Sequence, residues 1–247
     1  MKIIGIAGRK QAGKNTVANC INGNVLLSKE MIKDFYIDDN GKLIVQTSDS
    51  NGNVGYGEFD VTRKDSPFVE YAHRELWPYI KVYHFADPLK EMAINLFNIN
   101  PQQVYGSDDE KNKPTHLLWE DMPSVPKDKT GNMTAREFLQ YFGTDVVRKI
   151  YHNAWVNATL NRVLVEQSEI AIIPDVRFPN EVSAIRDNGG IVIRLTRDLY
   201  HSDHDSEKAL DIEMFNWKNF DIIIDNSNMN IEDLCDTLKS HSRIWSA

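Results

Sequence analysis

Cysteine is nearly missing from this chain: Cys20 and Cys235 are the only two in 247 residues. Their spacing matches no metal-ligand motif, and two thiols cannot build the framework of bridges that staples small secreted domains. A reducing cytoplasm is therefore the expected setting. Long apolar runs are missing too. No stretch approaches the ~20 residues that span a bilayer, and no charged-then-apolar leader precedes the first apolar run, so a soluble, non-exported protein is expected. Positive charge is in deficit: 28 Lys and Arg face 36 Asp and Glu, for a net charge of −8. That balance argues against a direct nucleic-acid partner, while a local basic pocket can still hold a small anion. What is present is core material. Apolar residues make up 41% of the chain, enough for a single α/β domain over residues 1–247 with an elaboration.

The stretch that organises the rest is MKIIGIAGRKQAGKNTVANCIN, residues 1–22. It reads as a buried strand, a glycine loop and an amphipathic helix opening at Lys14. The loop Gly8-Arg9-Lys10-Gln11-Ala12-Gly13-Lys14-Asn15-Thr16 fits the phosphate-binding pattern G-x-x-x-x-G-K. Gly8 and Gly13 permit backbone conformations that a Cβ forbids. The loop's N–H groups can then turn toward a phosphate at the positive end of the helix, with Lys14 reaching the β- and γ-phosphates. The hydroxyl that usually comes directly after the lysine is displaced by one residue, from Asn15 to Thr16. This displaced threonine resembles the G-K-x-T pattern of nucleoside monophosphate kinases, in which Mg²⁺ is held mostly through waters.

Downstream, Asn40-Gly41 between two β-prone runs predicts a hairpin, and residues 34–65 read as a surface insertion with a third strand over 58–62. Asp38-Asp39-Asn40-Gly41 lacks the full calcium-loop pattern. Strands are expected at 81–86, 169–175, 191–196 and 220–225, which with the first make five in a parallel sheet wrapped by helices. Asp87 and Pro88 suit a helix start, but Lys90 in that first turn opposes the helix dipole unless an anion docks beside it. Residues 98–131 are rich in Pro, Asp and Lys and read as a long, solvated connection. Thr134 and Glu137 form a capping box, with Gly143 as the expected end of that helix. Asp175 closes a buried strand, so it should stand near the Gly8 loop, with Arg177 just beyond it. His201, Asp203, His204 and Asp205 match no metal motif. A GTPase would carry an Asn-Lys-x-Asp guanine reader, and a translocase a longer chain or a basic surface. Neither is present, and the scattered Lys90, Arg136, Arg177 and Arg197 suit a second small anion facing ATP.

These segments together resemble the bacteriophage deoxynucleoside monophosphate kinases: the loop 8–16, Phe85-Ala-Asp-Pro-Leu-Lys90, Arg136 through Gly143-Thr-Asp145, Trp155-Val156, Pro174 to Glu181, Gly190 to Arg197, and His204-Asp-Ser-Glu207. Residues 34–65 and 98–131 fall outside the resemblance. It implies a three-layer P-loop NTPase fold of the nucleoside monophosphate kinase-like type, with a β-hairpin insertion. It implies transfer of the ATP γ-phosphoryl group to a 2′-deoxynucleoside 5′-monophosphate. The loop 8–16, with Lys14, and Arg197 would hold ATP; Thr16 and Asp175 would support Mg²⁺ through water. Asp87, Lys90, Arg136, Arg177 and Glu181 would hold the acceptor and offset charge, while Gly143, Thr144 and Trp155 shape the nucleoside pocket. Lys14, Arg136, Asp175 and Arg177 would carry catalysis, and residues 197–210 would act as a lid. A homodimer in a host cytoplasm is also implied. The alternatives are another small-molecule P-loop kinase, acting on a coenzyme precursor or nucleoside, and a nucleotide-binding regulatory protein that transfers nothing.

Overall fold

The computed structural model describes residues 1–48, 51–125, 128–199 and 208–246. The chain divides into two compact units, residues 1–84 with 162–247, and residues 85–161.

The first unit is built on a five-stranded, all-parallel sheet of β1 (Lys2–Ala7), β5 (Ile80–Val82), β8 (Ile170–Val176), β9 (Ile191–Leu195) and β10 (Ile222–Ile224). Across the sheet the order is β10-β9-β1-β8-β5. The inner strands β1, β8 and β9 are buried almost throughout, as strands covered on both faces must be, while the edge strand β10 exposes Ile223. The expected sheet is the observed one, an α/β arrangement consistent with a P-loop kinase-like fold. α1 (Lys14–Ser28) packs Val17, Ala18, Ile21, Val25 and Leu26 into its core. α2 (Ser66–Glu75) is capped by the Asp65 carboxylate, which accepts from Phe68 N.

The insertion is a three-stranded antiparallel sheet: β2 (Phe35–Ile37), β3 (Leu43–Ser48) and β4 (Val54–Glu58). The hairpin at Asn40-Gly41 forms as expected, with Gly41 at φ +78°. Two expectations need correction. The third strand begins at Val54, not near 58, because alternating glycines in Val-Gly-Tyr-Gly-Glu conceal its period-two pattern. Nor is the insertion only a surface feature. Leu43 and Val45 are buried in the main core, Phe35 lies over Gly23 of α1, and Gly41 sits directly on the Thr16 hydroxyl. Asn19 Nδ2 donates to Gly41 O at 2.8 Å.

The second unit has its own core around Ile99, Val104, Trp119, Met133, Phe138 and Tyr141. The stretch 98–131 is not simply a solvated connection. It contains α4 (Pro101–Tyr105), α5 (Asp108–Lys111) and β6 (Pro114–Leu118), which pairs with β7 (Asn132–Thr134). Single apolar residues set among charges, Val104 and Trp119, carry the burial that composition obscured. The Thr134–Glu137 capping box is present at the head of α6 (Ala135–Gln140). Gly143 does not end that helix, which continues as a π-helical segment, Tyr141–Val147. A Cβ at Gly143 would stand 2.7 Å from Leu89 Cδ2, so close packing against α3 (Asp87–Asn95) is what calls for glycine there. α7 (Ala154–Glu166) comes next.

α8 (Pro179–Asp187) and α9 (Ile231–Ser240) complete the first unit's main helices. Cys20 of α1 and Cys235 of α9 are joined by a disulfide, with Cα atoms 5.8 Å apart across 215 residues of chain. No spacing rule could reveal that α1 and α9 lie side by side. Among the described residues, no helix is long and apolar enough to cross a membrane.

Candidate functional site

The site is built at the carboxyl end of β1, where open parallel sheets place their ligands. The loop from Gly8 turns through two left-handed residues, Gln11 (φ 60°) and Gly13 (φ 96°). Gly13 is the N-cap of α1, with no side-chain cap and no acid in the helix's first turn. The first N–H groups of α1 thus have no capping side chain, an arrangement that fits a phosphate. Lys14 Nζ is held over the loop by Gly8 O and Arg9 O, both at 2.7 Å.

Two anchors fix this loop. Asn226, fully buried beyond β10, donates from Nδ2 to Ala12 O at 2.8 Å, and its Oδ1 accepts from Arg197 N at 3.0 Å. Arg197 is turned onto the same corner, with Nε on Asn226 O at 3.0 Å and Nη2 on Met229 O at 2.5 Å. Arg9 is the second anchor. Its guanidinium forks onto Asp211 (Nε–Oδ1 3.2 Å, Nη2–Oδ2 2.5 Å), and Nη1 reaches Asp198 at 2.8 Å. Hydrogen bonding to Asp211 raises the Arg9 pKa further, against the opposing effect of burial. The side chain of Arg9 therefore braces the loop against Asp198, within the stretch 197–210 expected from sequence as a lid, and against Asp211 just after it. Residues 200–207 of that stretch, including His201, Asp203, His204, Asp205 and Glu207, lie outside the described residues.

Asp175 reaches the site through a bulge. β1 and β8 pair Gly5 with Ile173 and then Ala7 with Val176, so Pro174 and Asp175 together oppose Ile6. Proline has no N–H for the ladder, and a bulge re-aims the residues beyond it. Asp175 thus stands on the strand next to β1, at the level where the Gly8 loop begins. Arg177 is half-buried at the head of α8. Glu181 is buried, with its carboxylate accepting from Arg177 N at 2.7 Å and Phe178 N at 3.1 Å. It holds the turn that carries Arg177.

Lys10, Gln11 and Asn15 are exposed. Thr16 lies beneath Gly41, whereas Asn15 faces a cavity. A magnesium ion usually needs only one or two carboxylates plus substrate phosphates and waters. Asp175 fits that requirement, and Thr16 is screened on one side by the insertion.

The remaining expected residues belong to the second unit. Asp87 is buried in the first turn of α3, with Ala86 rather than Asp87 at the N-cap. Lys90 Nζ lies 4.8 Å from the Tyr105 ring centroid. Arg136 is held by Asn112 (2.9 Å) and Asp108 (2.7 Å). Trp155 is buried, its Nε1 donating to Gly143 O at 3.0 Å, and it walls an open, largely apolar cavity with Pro88, Met92 and Leu96. Thr144 is exposed.

Asn226 and Asp211 are the site residues that sequence reasoning missed. Asn226 carried a faint signal, an asparagine directly after the last core strand. Asp211 carried none.

Comparison with known proteins bears on this loop and sheet. A family model described as deoxynucleotide monophosphate kinase matches residues 2–238. A protein of Acanthamoeba polyphaga mimivirus named "Putative deoxynucleotide monophosphate kinase" is 32% identical over 163 residues, covering 60% of this chain and 76% of that protein. That relative comes from a giant virus, so it lends nothing to a bacteriophage origin.

Proposed function

The chain belongs to the deoxynucleotide monophosphate kinase family, and from that premise we propose that ATP is its phosphoryl donor and Mg²⁺ its metal. The activity is that of a kinase of deoxynucleoside monophosphates. An acceptor phosphate oxygen attacks the γ-phosphorus, the bond to the β,γ-bridging oxygen breaks, and a deoxynucleoside diphosphate and ADP result. The acceptor phosphate is already a nucleophile, so no protein base is required. The protein's work is in-line positioning, charge stabilisation and exclusion of water.

The observation that carries this reading is the uncapped N-terminus of α1 beneath Gly13, with Lys14 Nζ poised over the same loop. Lys14 binds the β- and γ-phosphates, with the N–H groups of residues 8–16 around them. Asp175, with Thr16 beside the loop, would hold the waters of Mg²⁺, which when bound offsets charge on the phosphate oxygens. Arg177, Lys90 and Arg136 hold the acceptor phosphate, assisted by Asp87. Glu181 acts through Arg177 by fixing its backbone. Gly143, Thr144 and Trp155 shape the nucleoside pocket, and Arg197 steadies the donor side.

The test is ADP release from ATP and Mg²⁺ with each deoxy- and ribonucleoside monophosphate offered separately, with Lys14→Ala alongside. Turnover with deoxynucleotides that falls by about a hundredfold or more in Lys14→Ala supports the reading. ATP binding with no acceptor-dependent turnover overturns it in favour of a nucleotide-binding regulatory protein.

A further inference from the structure

One buried carboxylate serves two arginines. Arg194 lies on β9 in register with Ala7, the last residue of β1 before the phosphate loop. It is 4% exposed. Its guanidinium carbon stands 5.1 Å from the Trp217 ring centroid and 5.9 Å from that of Phe220, and its Nη2 lies 3.6 Å from Asp211 Oδ1. Asp211 takes the Arg9 fork at the same time. The turn that presents Asp211 is held in place by its own bonds. Asp211 O accepts from Met214 N (3.0 Å) and Phe215 N (2.8 Å), and Trp217 Nε1 donates to Leu210 O at 2.9 Å. The two rings, Arg194, Asp211 and Arg9 thus form one row within the first unit, from the aromatic pair to the phosphate loop.

Stability does not account for this row. Burial of ionised side chains is opposed by desolvation, and well-packed apolar residues of the same volume hold a turn as well or better. What the ions supply and apolar residues do not is direction, because a guanidinium meets a carboxylate in a planar fork of fixed geometry. That fork ends on Arg9, whose carbonyl is a junction of the phosphate loop. Arg9 O accepts from Lys14 Nζ at 2.7 Å and from Ala12 N at 3.1 Å. Fixing the Arg9 side chain therefore fixes the carbonyl that sets Lys14. Arg194 has a second effect. A lone carboxylate beside an anion site repels its ligand, and a second cation on Asp211 offsets that charge.

We infer that Asp211 and Arg194 are positioning residues for the phosphoryl donor: acting through Arg9, they set the loop and Lys14 for the triphosphate of ATP. This rests on the kinase reading above.

The test is equilibrium titration with ATP, with steady-state kinetics alongside. Asp211→Asn keeps the shape and removes the charge. It should weaken ATP binding and raise the ATP KM about tenfold, with KM for deoxynucleoside monophosphates within about twofold of wild type. Arg194→Met keeps the stem and should weaken ATP binding about threefold, again without moving the acceptor KM. A merely structural turn would lower the melting temperature without separating the two KM values, so an equal rise in both overturns the inference. Residues that act through one another are not additive, so adding Arg9→Met to Asp211→Asn should change ATP affinity by less than about twofold further. Losses that multiply overturn the inference, as does wild-type ATP affinity in either single variant. Should Asp211→Asn fail to fold, Arg9→Lys keeps the charge, loses the fork and carries the same expectation of about tenfold; unchanged ATP affinity there is equally fatal. If the wild type binds ATP but releases no acceptor-dependent ADP, the kinase reading fails by itself, and the titrations still decide the roles of Asp211 and Arg194. A wild type that binds no ATP overturns both.

Discussion

Asn226 Nδ2 donates to the carbonyl of Ala12 at 2.8 Å, joining the far end of the sheet to the phosphate loop across 214 residues of chain. The same side chain accepts from Arg197 N, so one buried amide sets the geometry of both the loop and the arginine beside it. Asn226→Ala leaves a buried carbonyl and an N–H without their partner, at a cost of about 1–3 kcal/mol for each unsatisfied group. A melting temperature lower by several degrees and an ATP KM raised about tenfold are expected. Thermal melts and ATP titration of the variant check both.

Gly41 combines a left-handed backbone with direct contact on Thr16. Gly41→Ala costs about 1–2 kcal/mol for the backbone conformation alone, and the new methyl must displace the Thr16 hydroxyl. Chemical denaturation should show at least that loss, and Gly41→Asn, whose side chain tolerates the left-handed region, a smaller one. Equal stabilities for the three proteins would mean that the turn is not held on α1.

The Cys20–Cys235 bridge closes most of the chain into one loop. Its reduction should lower stability by about 2–4 kcal/mol, chiefly by releasing the unfolded chain. Peptide mapping without reductant should recover the two cysteines in one linked fragment, and denaturation with and without reductant should give two separate midpoints.

Asp225 Oδ1 accepts from Ser227 Oγ, Thr196 Oγ1 and Ser227 N at the ends of β9 and β10. The Ser227 and Thr196 hydroxyls hold its carboxyl below the ordinary value of 3.8. A carboxyl depressed on folding contributes stability that is fully present above its unfolded pKa and is lost as pH falls through the folded one. Asp225→Asn should therefore lie below wild type in stability above pH 3.8, with the gap closing at lower pH. Denaturation of the two proteins from neutral pH downward checks the sign.

Much of this was legible along the chain because the physics is local. The Gly8–Thr16 loop shows as strand, glycines, lysine and helix within two dozen residues. The five core strands show as Ile- and Val-rich runs, and the Thr134–Glu137 box shows as a three-residue spacing. Where several interactions compete for one residue, local signals misled. Gly143 looks like a helix end and is in fact a close contact with Leu89. The 98–131 stretch looks solvated because a few buried residues are outnumbered by charges.

By itself, then, the sequence determined the phosphate loop, the parallel sheet and the family, since each depends on neighbours within a few residues or on the order of segments. Only the tertiary structure decided that Asn226 and Asp211 brace the loop, that the insertion lies on Thr16 beside a cavity, and that Cys20 meets Cys235. Each of those contacts joins distant parts of the chain, and a hydrogen bond or a bridge across such a distance leaves no periodicity for a sequence to display.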